Sequence, residues 1–560
     1  MFDKILVANR GEIAVRIMRT CTELDVATVA VYSDVDSRAR HRRSATEAVH
    51  LSGVAPADTY LNAGAVIDAA RSTGAQAIHP GYGFLSENAD FAEAVAEAGL
   101  VWIGPPPDAT RSIGDKVKAR NIAVATGVPV VPGLLEPVAG AEPVRAFGDE
   151  HGYPVAIKAA GGGGGRGLKV AHSADEVDEA LDSARREARA YFSSEDVYVE
   201  RYLDAPKHLE VQILSPNPDE ALWLGVRDCS LQRRHQKLIE ETPPGRWAER
   251  SSEMGEAAVA LAKACGYVNA GTVEMLVDDE GRYYFLEVNA RLQVEHTVTE
   301  EVLGIDLVAC QLRIEAGDEL GFSQADLQPQ GHSIECRINA EDPARGFIPS
   351  PGVLDTFTPP SGPGVRTDAG YEMGDEVPEA YDSLIAKVIV RGTTREDARR
   401  RMIRALQEMR VEGVATTIPA HLALLEEASF TAGTHTTRTV EDSGVLDALV
   451  ASSEESDDAD VLLVGGRPVK LWHPSMSGSA AHAVHGAAHT AGEVIAPMQG
   501  TILKVLVSPN QDVEAGDELM VLEAMKMETT IAAPRAGRVA TIGAEAGDTV
   551  QAGQLLISLE

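Results

Sequence analysis

The stretch EAMKMET at residues 523–529 places Lys526 between two methionines, close to the C-terminus. It lies within a duplication, because VEAG at 513–516 recurs as VQAG at 550–553 with an offset of 37 residues. A repeat of this kind indicates two structural units that pack against each other. Short alternating apolar runs between turn signals predict that both units consist of β-strands. We therefore expect an all-β domain over 491–560, with Lys526 at the tip of a hairpin where the repeats join.

The AMKM motif at 524–527 resembles the biotin attachment motif of biotinyl carrier domains, whose fold is a flattened barrel of two quasi-equivalent halves. The resemblance implies that biotin is covalently carried on Lys526 and is attached there by a biotin protein ligase. Lipoyl domains share the architecture, but Asp and Ala usually flank their modified lysine, so the two methionines favour biotin. The alternative is an ordinary solvated lysine, since lysines are overwhelmingly exposed in proteins.

The length and composition of the chain indicate several globular domains. A chain of 560 residues, 44% of them hydrophobic, predicts three to five domains of roughly 150 residues each. The five cysteines are widely separated, which argues against a zinc or disulfide framework and fits a reducing compartment. The first residues do not read as a secretory signal, and no apolar run approaches about 18 residues. We therefore expect a cytoplasmic protein that does not enter a membrane.

The charge of the chain excludes one class of partner. Acidic residues number 85 against 50 basic ones, for a formal net charge of −35. Nucleic acid is not an expected partner, because phosphate backbones require basic surfaces. This excess of acidic residues fits a salt-adapted host or a GC-rich genome equally well, and it does not identify a substrate.

Residues 1–113 alternate between strand and helix patterns. Apolar runs at 4–8, 26–32, 75–80 and 100–104 predict buried strands, and a helical pattern follows the first of them. Strands separated by helices predict a parallel, doubly wound, Rossmann-like sheet. The GxGxxG fingerprint is absent, so this domain alone predicts only an α/β fold.

A run of five glycines followed by Arg166-Gly167 comes directly after an apolar strand that carries Lys158. Backbone amides that lack Cβ atoms approach phosphate oxygens closely, and successive N–H groups form an anion cradle. Lys158 and Lys116 then neutralise phosphate charge. No Gly-Lys-Ser/Thr follows, so this is not a Walker loop, and a flexible linker is the alternative.

The stretch FLEVNARLQVEH at 285–296 predicts a metal site. On a strand, Glu287, Asn289 and Arg291 lie on one face, because side chains alternate between faces. Two oxygen donors beside an arginine suit Mg²⁺ (or Mn²⁺) bound to nucleotide phosphates. Glu274 adds a carboxylate from an adjacent strand, although for Glu274 alone an exposed acidic strand face is an equally simple explanation.

Together these features resemble the ATP-grasp portion of biotin carboxylase. HPGYGFLSEN at 79–88, DCSLQRRHQK at 228–237 and ECRINAEDP at 335–343 match that family closely, and the resemblance runs from residue 3 to about 440. It implies α/β and α+β domains in the following order: an N-terminal domain over 1–113, an ATP-grasp domain over 114–330 with a lid at about 130–203, and a β-rich C-terminal domain over 331–446. The Ser/Glu/Asp-rich and then Ala/His/Gly-rich composition predicts a flexible linker over 447–490, interrupted by a short hairpin.

The resemblance also implies roles for individual residues. Glu295 would be the general base, and Arg337 would steady the biotin ring. Bicarbonate would bind Lys237, Arg291, Gln293 and the Val294 backbone. Mg²⁺ would bind Glu274 and Glu287, with Asn289 assisting. ATP would contact Lys116, Lys158, Gly164, Gly165, Glu200, Tyr202, Leu203, His208 and His235. The family usually has Thr where Ala290 stands and Pro where Thr297 stands, and both positions neighbour catalytic ones.

The implied activity is carboxylation of the biotin on Lys526 with ATP and bicarbonate, followed by transfer to a separate carboxyltransferase β subunit. The nearest family is the α subunits of acetyl-/propionyl-CoA carboxylases, and biotin carboxylases are commonly homo-oligomers. Three alternatives stay open. The acceptor is pyruvate, methylcrotonyl-CoA or urea; the chain is another ATP-grasp ligase, which the biotinyl domain disfavours; or it is an inactive biotinylated carrier, which the intact Lys237, Glu295 and Arg337 disfavour.

Overall fold

The computed structural model describes residues 1–134, 136–159, 168–192, 196–447, 449, 461–464, 467–470, 493–496, 500–524, 527–550 and 553–560. Three residues predicted to bind ATP or biotin, namely Gly164, Gly165 and Lys526, lie outside these described residues. None of the helices within the described ranges combines the length and the apolar composition that crossing a bilayer requires.

The N-terminal part of the chain is a five-stranded parallel sheet covered by helices on both faces. Its strands are β1 (Lys4–Val7), β2 (Ala27–Tyr32), β3 (Glu47–His50), β4 (Ala77–His79) and β5 (Val101–Trp102), in the order β3-β2-β1-β4-β5. Its helices are α1 (Gly11–Glu23), α2 (Arg40–Ser44), α3 (Ala63–Thr73), α4 (Ala89–Glu97) and α5 (Pro107–Gly114).

Successive residues of the central strand belong to different cores, as a doubly wound sheet requires. Ile5 and Val7 pack with α1 in one buried cluster, whereas Leu6 packs in a second cluster with residues of α3 and α4. The four predicted strands and the α/β fold are confirmed. The edge strand β3 was not predicted, because its residues are mostly exposed and form no apolar run.

Residues 138–201 contain a small α/β unit with its own core. Its elements are α7 (Ala141–His151), β6 (Val155–Ala159), β7 (Leu168–Ala171), α8 (Val177–Phe192) and β8 (Val197–Arg201), whereas the preceding helix α6 (Lys116–Ala125) packs in a different cluster with residues between 209 and 290. The strands pair in the antiparallel order β7-β6-β8. Ile157, Leu181 and Val199 belong to a buried cluster formed within this unit alone. A unit with a separate core can move as a body, which is what a lid requires.

The centre of the molecule is an eight-stranded antiparallel sheet in the order β13-β12-β9-β10-β11-β14-β21-β19. Its strands are β9 (Lys207–Asn217), β10 (Glu220–Arg233), β11 (Gln236–Thr242), β12 (Asn269–Val277), β13 (Tyr283–Asn289), β14 (His332–Asn339), β19 (Val365–Ala369) and β21 (Leu384–Gly392). The other strands between residues 341 and 412 form two-stranded pairs: β15 (Glu341–Asp342) with β16 (Ile348–Pro349), β17 (Gly352–Val353) with β20 (Glu376–Val377), and β18 (Thr356–Thr358) with β22 (Arg410–Glu412). Because β11 pairs with β14, the sheet continues across position 330 without a break.

Helices pack on this sheet and on its C-terminal extension. They are α9 (Ser251–Ala264), α10 (His296–Leu303), α11 (Leu307–Ala316), α12 (Arg395–Glu408), α13 (Ile418–Glu426), α14 (Ala428–Ala432) and α15 (Thr439–Asp442), with 3₁₀ turns at Ala174–Glu176, Gly245–Arg250, Gln324–Asp326 and Pro343–Arg345. Cys336 and Val388 share a buried cluster with Met402 of α12. Arg337 and Lys387 alternate with these apolar residues and are paired in register, so both lie on the opposite face of the sheet.

The last part of the chain is an all-β domain with internal symmetry. After an antiparallel pair, β23 (Val461–Val464) and β24 (Arg467–Lys470), come β25 (Glu493–Ile495), β26 (Gly500–Val505), β27 (Asp512–Val513), β28 (Glu518–Ala524), β29 (Met527–Ala532), β30 (Gly537–Ile542), β31 (Thr549–Val550) and β32 (Leu555–Leu559). One sheet has the order β25-β32-β30-β27 and the other β29-β28-β26-β31. A shift of 37 residues carries the start of β26, β27 and β28 onto that of β30, β31 and β32. The predicted flattened barrel of two equivalent halves is confirmed.

Candidate active site

Polar side chains line one face of the central sheet at buried positions. On β9, His208, Glu210 and Gln212 alternate with apolar residues and are all buried. The strand register places Glu210 opposite Glu274 on β12, and Glu274 opposite Glu287 on β13. Residues paired across neighbouring strands share a face of the sheet. Three strands therefore deliver a row of carboxylates to one side.

Lys237 on β11 lies at the centre of these carboxylates. Its Nζ donates to Glu210 Oε2 at 2.7 Å, to Glu274 Oε1 at 2.9 Å and to Glu295 Oε1 at 2.7 Å. Burial favours the neutral lysine, but the three carboxylates hold the pKa of Lys237 well above its ordinary value. The lysine is therefore charged, and it contacts carboxylates from three other segments of the chain.

One lysine does not neutralise three buried carboxylates, and two further groups lie beside them. The guanidinium of Arg227, which is fully buried, donates from Nε to Glu210 and from Nη1 to Gln212 Oε1 at 2.7 Å. His208 Nε2 lies 3.1 Å from Glu274 Oε2. Burial opposes ionisation of Glu274, yet Lys237 and His208 hold its pKa well below the ordinary value. Buried charges need partners of this kind to be tolerated.

Glu295 immediately precedes α10 and is fully buried. Its Oε1 accepts from Lys237, and its Oε2 accepts from Arg337 Nη2 at 2.9 Å. Burial alone would raise the pKa of Glu295, but Lys237, Arg337 and Arg227 hold it well below its ordinary value. The carboxylate is therefore an anion fixed between a lysine from β11 and an arginine from β14.

Arg337 links Glu295 to a second buried carboxylate. Its Nε donates to Glu240 Oε1 at 2.5 Å, while the other oxygen of Glu240 is buried and has no hydrogen-bond partner among the described residues. Burial raises the pKa of Glu240, in contrast to that of Glu295. The guanidinium thus lies between an easily protonated carboxyl group and a strongly ionised one, at the edge of the Lys237 cluster.

The segment after β13 carries the other residues predicted to bind bicarbonate. Arg291 Nη1 donates to Gln293 Oε1 at 3.0 Å, and its Nη2 donates to Asn289 Oδ1 at 3.2 Å. Arg291 Nε lies 3.0 Å from Glu87 Oε2 in the N-terminal domain. These contacts fix the guanidinium beside the segment that ends at Glu295. Lys237 contacts Glu295 directly, and Arg291 contacts Gln293, which lies two residues before Glu295 in the chain.

The described residues among those predicted to contact ATP come from several elements, including Lys116 at the start of α6 and His208 on β9. Lys158 on β6 forms an ion pair with Glu200 on β8, and the Tyr202 N–H donates to Pro154 O at 3.0 Å. Leu203 follows Tyr202 directly. His235 occupies the two-residue turn between β10 and β11 with a φ of 65°, a backbone conformation that is uncommon for a residue other than glycine.

The predicted metal ligands fit a divalent cation in part. Burial raises the pKa of Glu287, as does the charge of Glu274, while Lys116 at the start of α6 partly offsets the effect. A divalent cation between the two carboxylates would relieve this penalty, and carboxylate oxygens are the ligands that Mg²⁺ prefers. Asn289 Oδ1, the atom that would bind the metal, accepts a hydrogen bond from Arg291 in this structure. His208 and Glu210 place ligand atoms within 4.8 Å of Glu274 and are further candidates.

Several residues of the site were not predicted from the sequence. Glu210, Glu240 and Lys387 contact predicted site residues, and Arg227 contacts Glu210. A signal was present for Glu210, because the apolar strand KHLEVQIL at 207–214 carries polar residues at every second position from His208. Lys387 likewise interrupts the apolar run LIAKVIV at 384–390. Buried ionisable residues in such runs mark a site, although the sequence does not say which partner each one meets.

Comparison with known protein families accounts for most of the chain. Residues 1–110 match the biotin carboxylase N-terminal domain, 115–322 the ATP binding domain of the carbamoyl-phosphate synthase L chain, 335–442 the biotin carboxylase C-terminal domain and 492–559 the family described as biotin-requiring enzyme. These matches and the polar region around Lys237 define an ATP-dependent ligase that carboxylates biotin with bicarbonate.

One of the individual relatives is similar over the whole chain, and the others over most of it. The chain is 45% identical over 590 residues to the biotin-dependent acyl-coenzyme A carboxylase alpha3 subunit of Mycobacterium leprae, covering 100% of this chain and 98% of that protein. It is 45% identical to pyruvate carboxylase of Aspergillus terreus over 89% of this chain and 42% of that protein. The solved biotin carboxylase domain dimer of Hydrogenobacter thermophilus 2-oxoglutarate carboxylase, with MgADP, ADP and bicarbonate, is 44% identical with a TM-score of 0.74, covering 80% of this chain and 99% of that one.

The chain therefore belongs to the biotin carboxylase family, and it carries the biotinyl domain on the same polypeptide. Biotin and Mg²⁺ are cofactors of this class of enzyme, and ATP and bicarbonate are its substrates.

Proposed function

We propose that this chain is the α subunit of an acyl-CoA carboxylase, which carboxylates biotin on its own Lys526 and supplies a carboxyltransferase β subunit. The similarity to the alpha3 subunit from M. leprae over both full lengths carries this proposal. Acetyl-CoA and propionyl-CoA are the acceptors we propose. A biotin protein ligase is the second proposed partner, since Lys526 must be modified before the carrier functions. We also propose a homo-oligomer, because the solved H. thermophilus domain is described as a dimer.

The proton-transfer step is assigned to the region around Lys237. Bicarbonate is a poor electrophile, and its activation requires removal of a proton and attack on the γ-phosphate of ATP. Lys237, Arg291, Gln293 and the Val294 backbone are the proposed bicarbonate ligands. Glu295 is the proposed base, because it is the carboxylate that contacts both Lys237 and Arg337. It receives the proton on one of its two oxygens.

The nucleotide is assigned to the cleft between the lid and the central sheet. Lys158, Glu200, Tyr202, Leu203, His208, His235 and Lys116 are the proposed ATP contacts, together with Gly164 and Gly165, which lie outside the described residues. Glu274 and Glu287, with Asn289 nearby, would hold Mg²⁺, which neutralises phosphate charge when bound. The lid contributes by excluding water during the reaction.

The biotinyl hairpin fits a prosthetic group at its tip. Strands β28 and β29 pair as far as Ala524 opposite Met527, so only two residues connect them, and Lys526 is one of these two. Biotin carries the carboxyl group between sites when it is attached. Arg337 is the proposed contact for its ureido oxygen, since the guanidinium stabilises negative charge that develops there. A linker over 447–490 would give the carrier its reach.

The test is an assay of ADP release with ATP, Mg²⁺ and free biotin, with and without bicarbonate. We expect ADP release that depends on bicarbonate and yields carboxylated biotin. An inactive carrier would bind ATP without turnover and contradict the proposal. The acceptor is then tested by purifying the chain with its β subunit and supplying acetyl-CoA, propionyl-CoA, methylcrotonyl-CoA and pyruvate in parallel. Transfer to pyruvate alone would favour the second candidate function, that of a pyruvate carboxylase subunit, which the A. terreus relative supports.

A further inference from the structure

Lys387 lies on β21, and its side chain is buried with no exposed surface. It is paired in register with Arg337 on β14, so it lies beside the proposed biotin-binding arginine on the same face of the sheet. Burying a charged lysine is costly unless its donors are all used. The groups that contact the Lys387 ammonium therefore indicate the role of this residue.

The Nζ of Lys387 donates to the backbone carbonyl of Val294 at 2.7 Å, across 93 residues of sequence. Its charge is balanced by Glu12 of α1, whose Oε1 lies at 3.2 Å and accepts from the Tyr82 hydroxyl. Tyr82, Glu12 and Lys387 thus form a chain of contacts from three separate segments, and Lys387 connects it to the segment that carries Gln293, Val294 and Glu295. The Val294 carbonyl belongs to the peptide group that leads directly into Glu295.

The neighbouring carbonyl in the same segment is also held. His296 Nδ1 lies 2.8 Å from Gln293 O, and the imidazole is fully buried. Because a carbonyl oxygen only accepts, Nδ1 carries the proton. Burial, together with the nearby cations Lys387 and Arg16, holds the pKa of His296 well below its ordinary value, so the ring is neutral. The two peptide planes on either side of Val294 are therefore each fixed by one buried side chain.

We infer that Lys387 is a positioning residue for bicarbonate activation, which holds the Val294 carbonyl and thereby fixes both the Val294 backbone and the direction of Glu295. This inference rests on the proposed bicarbonate site. A buried lysine that only stabilised the fold would use the same two contacts, with Glu12 and with Val294. The two roles are distinguished by whether loss of the Val294 contact changes bicarbonate binding or only stability.

The test compares Lys387→Met, Glu12→Gln and the double variant Lys387→Met/Glu12→Gln in the full chain. Methionine keeps the length of the side chain but does not donate, and the double variant leaves no unpaired buried carboxylate at position 12. Glu12→Gln is the matched control, because it removes the ion pair and leaves the Lys387 to Val294 hydrogen bond. We measure the KM for bicarbonate and the KM for ATP from ADP release. We also measure hydrogen exchange of a peptide covering 291–296.

We expect both Lys387 variants to raise the KM for bicarbonate at least about tenfold and to change the KM for ATP less than about twofold. Exchange over 291–296 increases in both, while Glu12→Gln stays within about threefold of the wild type for bicarbonate. The inference is overturned if the double variant keeps the wild-type KM for bicarbonate and wild-type exchange, or if Glu12→Gln shows the same defect. A wild-type chain without bicarbonate-dependent ADP release would instead remove the proposed function itself.

Discussion

Replacing Glu295 with glutamine tests the proposed chemistry most directly, because the substitution preserves shape and removes the ability to take up a proton. Glu295 has no exposed surface, and each of its oxygens accepts a hydrogen bond from a cation, at 2.7 Å from Lys237 and at 2.9 Å from Arg337. Glutamine retains one of these two acceptors. A positioned general base contributes about 10²- to 10⁴-fold to the rate. We therefore expect bicarbonate-dependent ATP cleavage to fall by that factor, or about 3–5 kcal/mol.

The assay is the rate of ADP formation with bicarbonate minus the rate without it, at saturating ATP. Glu240→Gln is the matched control, since Glu240 is also buried and also accepts a hydrogen bond from Arg337, from its Nε at 2.5 Å. Unlike Glu295, Glu240 is not among the carboxylates paired with Lys237 in the described part of the chain, which are Glu210, Glu274 and Glu295. Glu240→Gln is expected to retain at least about a third of the bicarbonate-dependent rate.

Two results would refute this reasoning. If Glu295→Gln keeps more than about a tenth of the bicarbonate-dependent rate, Glu295 is not the base. If Glu240→Gln loses as much activity as Glu295→Gln, the loss comes from displacement of Arg337 and not from the missing base. The KM for ATP of both variants provides the control for a correctly folded cleft.

Arg337→Met should lower carboxylation of free biotin at least about a hundredfold and bicarbonate-dependent ADP release less than about tenfold; equal losses in the two assays would remove its role toward biotin. Lys526→Arg should abolish the biotinyl adduct seen by mass spectrometry after coexpression with a biotin protein ligase, and an adduct that persists would place biotin on another residue. Burial raises the pKa of Glu315 to about 7 from 4.5, despite a hydrogen bond from Asn269. Folding therefore favours the protonated form, and this stabilisation is lost as the pH rises through that range. The gain in unfolding temperature of Glu315→Gln over the wild type should accordingly be larger at about pH 8 than at about pH 5, and an equal gain at both would contradict the shift.

Local patterns in the sequence predicted much of the fold. Apolar runs gave four of the five N-terminal strands, and the repeat offset of 37 residues reappears in the starts of three strand pairs of the barrel. These features depend on periodicity within a few residues of each other, which a sequence carries directly. Strand β3 was missed because it lies at an exposed edge of the sheet and has no apolar run.

Contacts between distant segments were harder to predict from the sequence. The sequence predicted Lys237 and Glu295 through a resemblance, but their hydrogen bond joins residues 58 positions apart. The role of Lys387 depends on a contact across 93 positions. Alternation along a strand tells which face a side chain takes, but not which strand lies next to it. The pairing of β11 with β14, which brings Arg337 to Glu295, is information of this second kind.

The low pKa of Glu295 has a consequence for the order of events. A carboxylate whose two oxygens are held by Lys237 and Arg337 is a weak proton acceptor, and burial does not overcome the two cations. Under the proposed function these same cations bind bicarbonate and biotin. An incoming anion that takes hydrogen bonds from Lys237 removes stabilisation from the Glu295 carboxylate, so the pKa of Glu295 rises as the substrate binds. The base is then strongest when bicarbonate is in place, which protects ATP from cleavage when bicarbonate is absent.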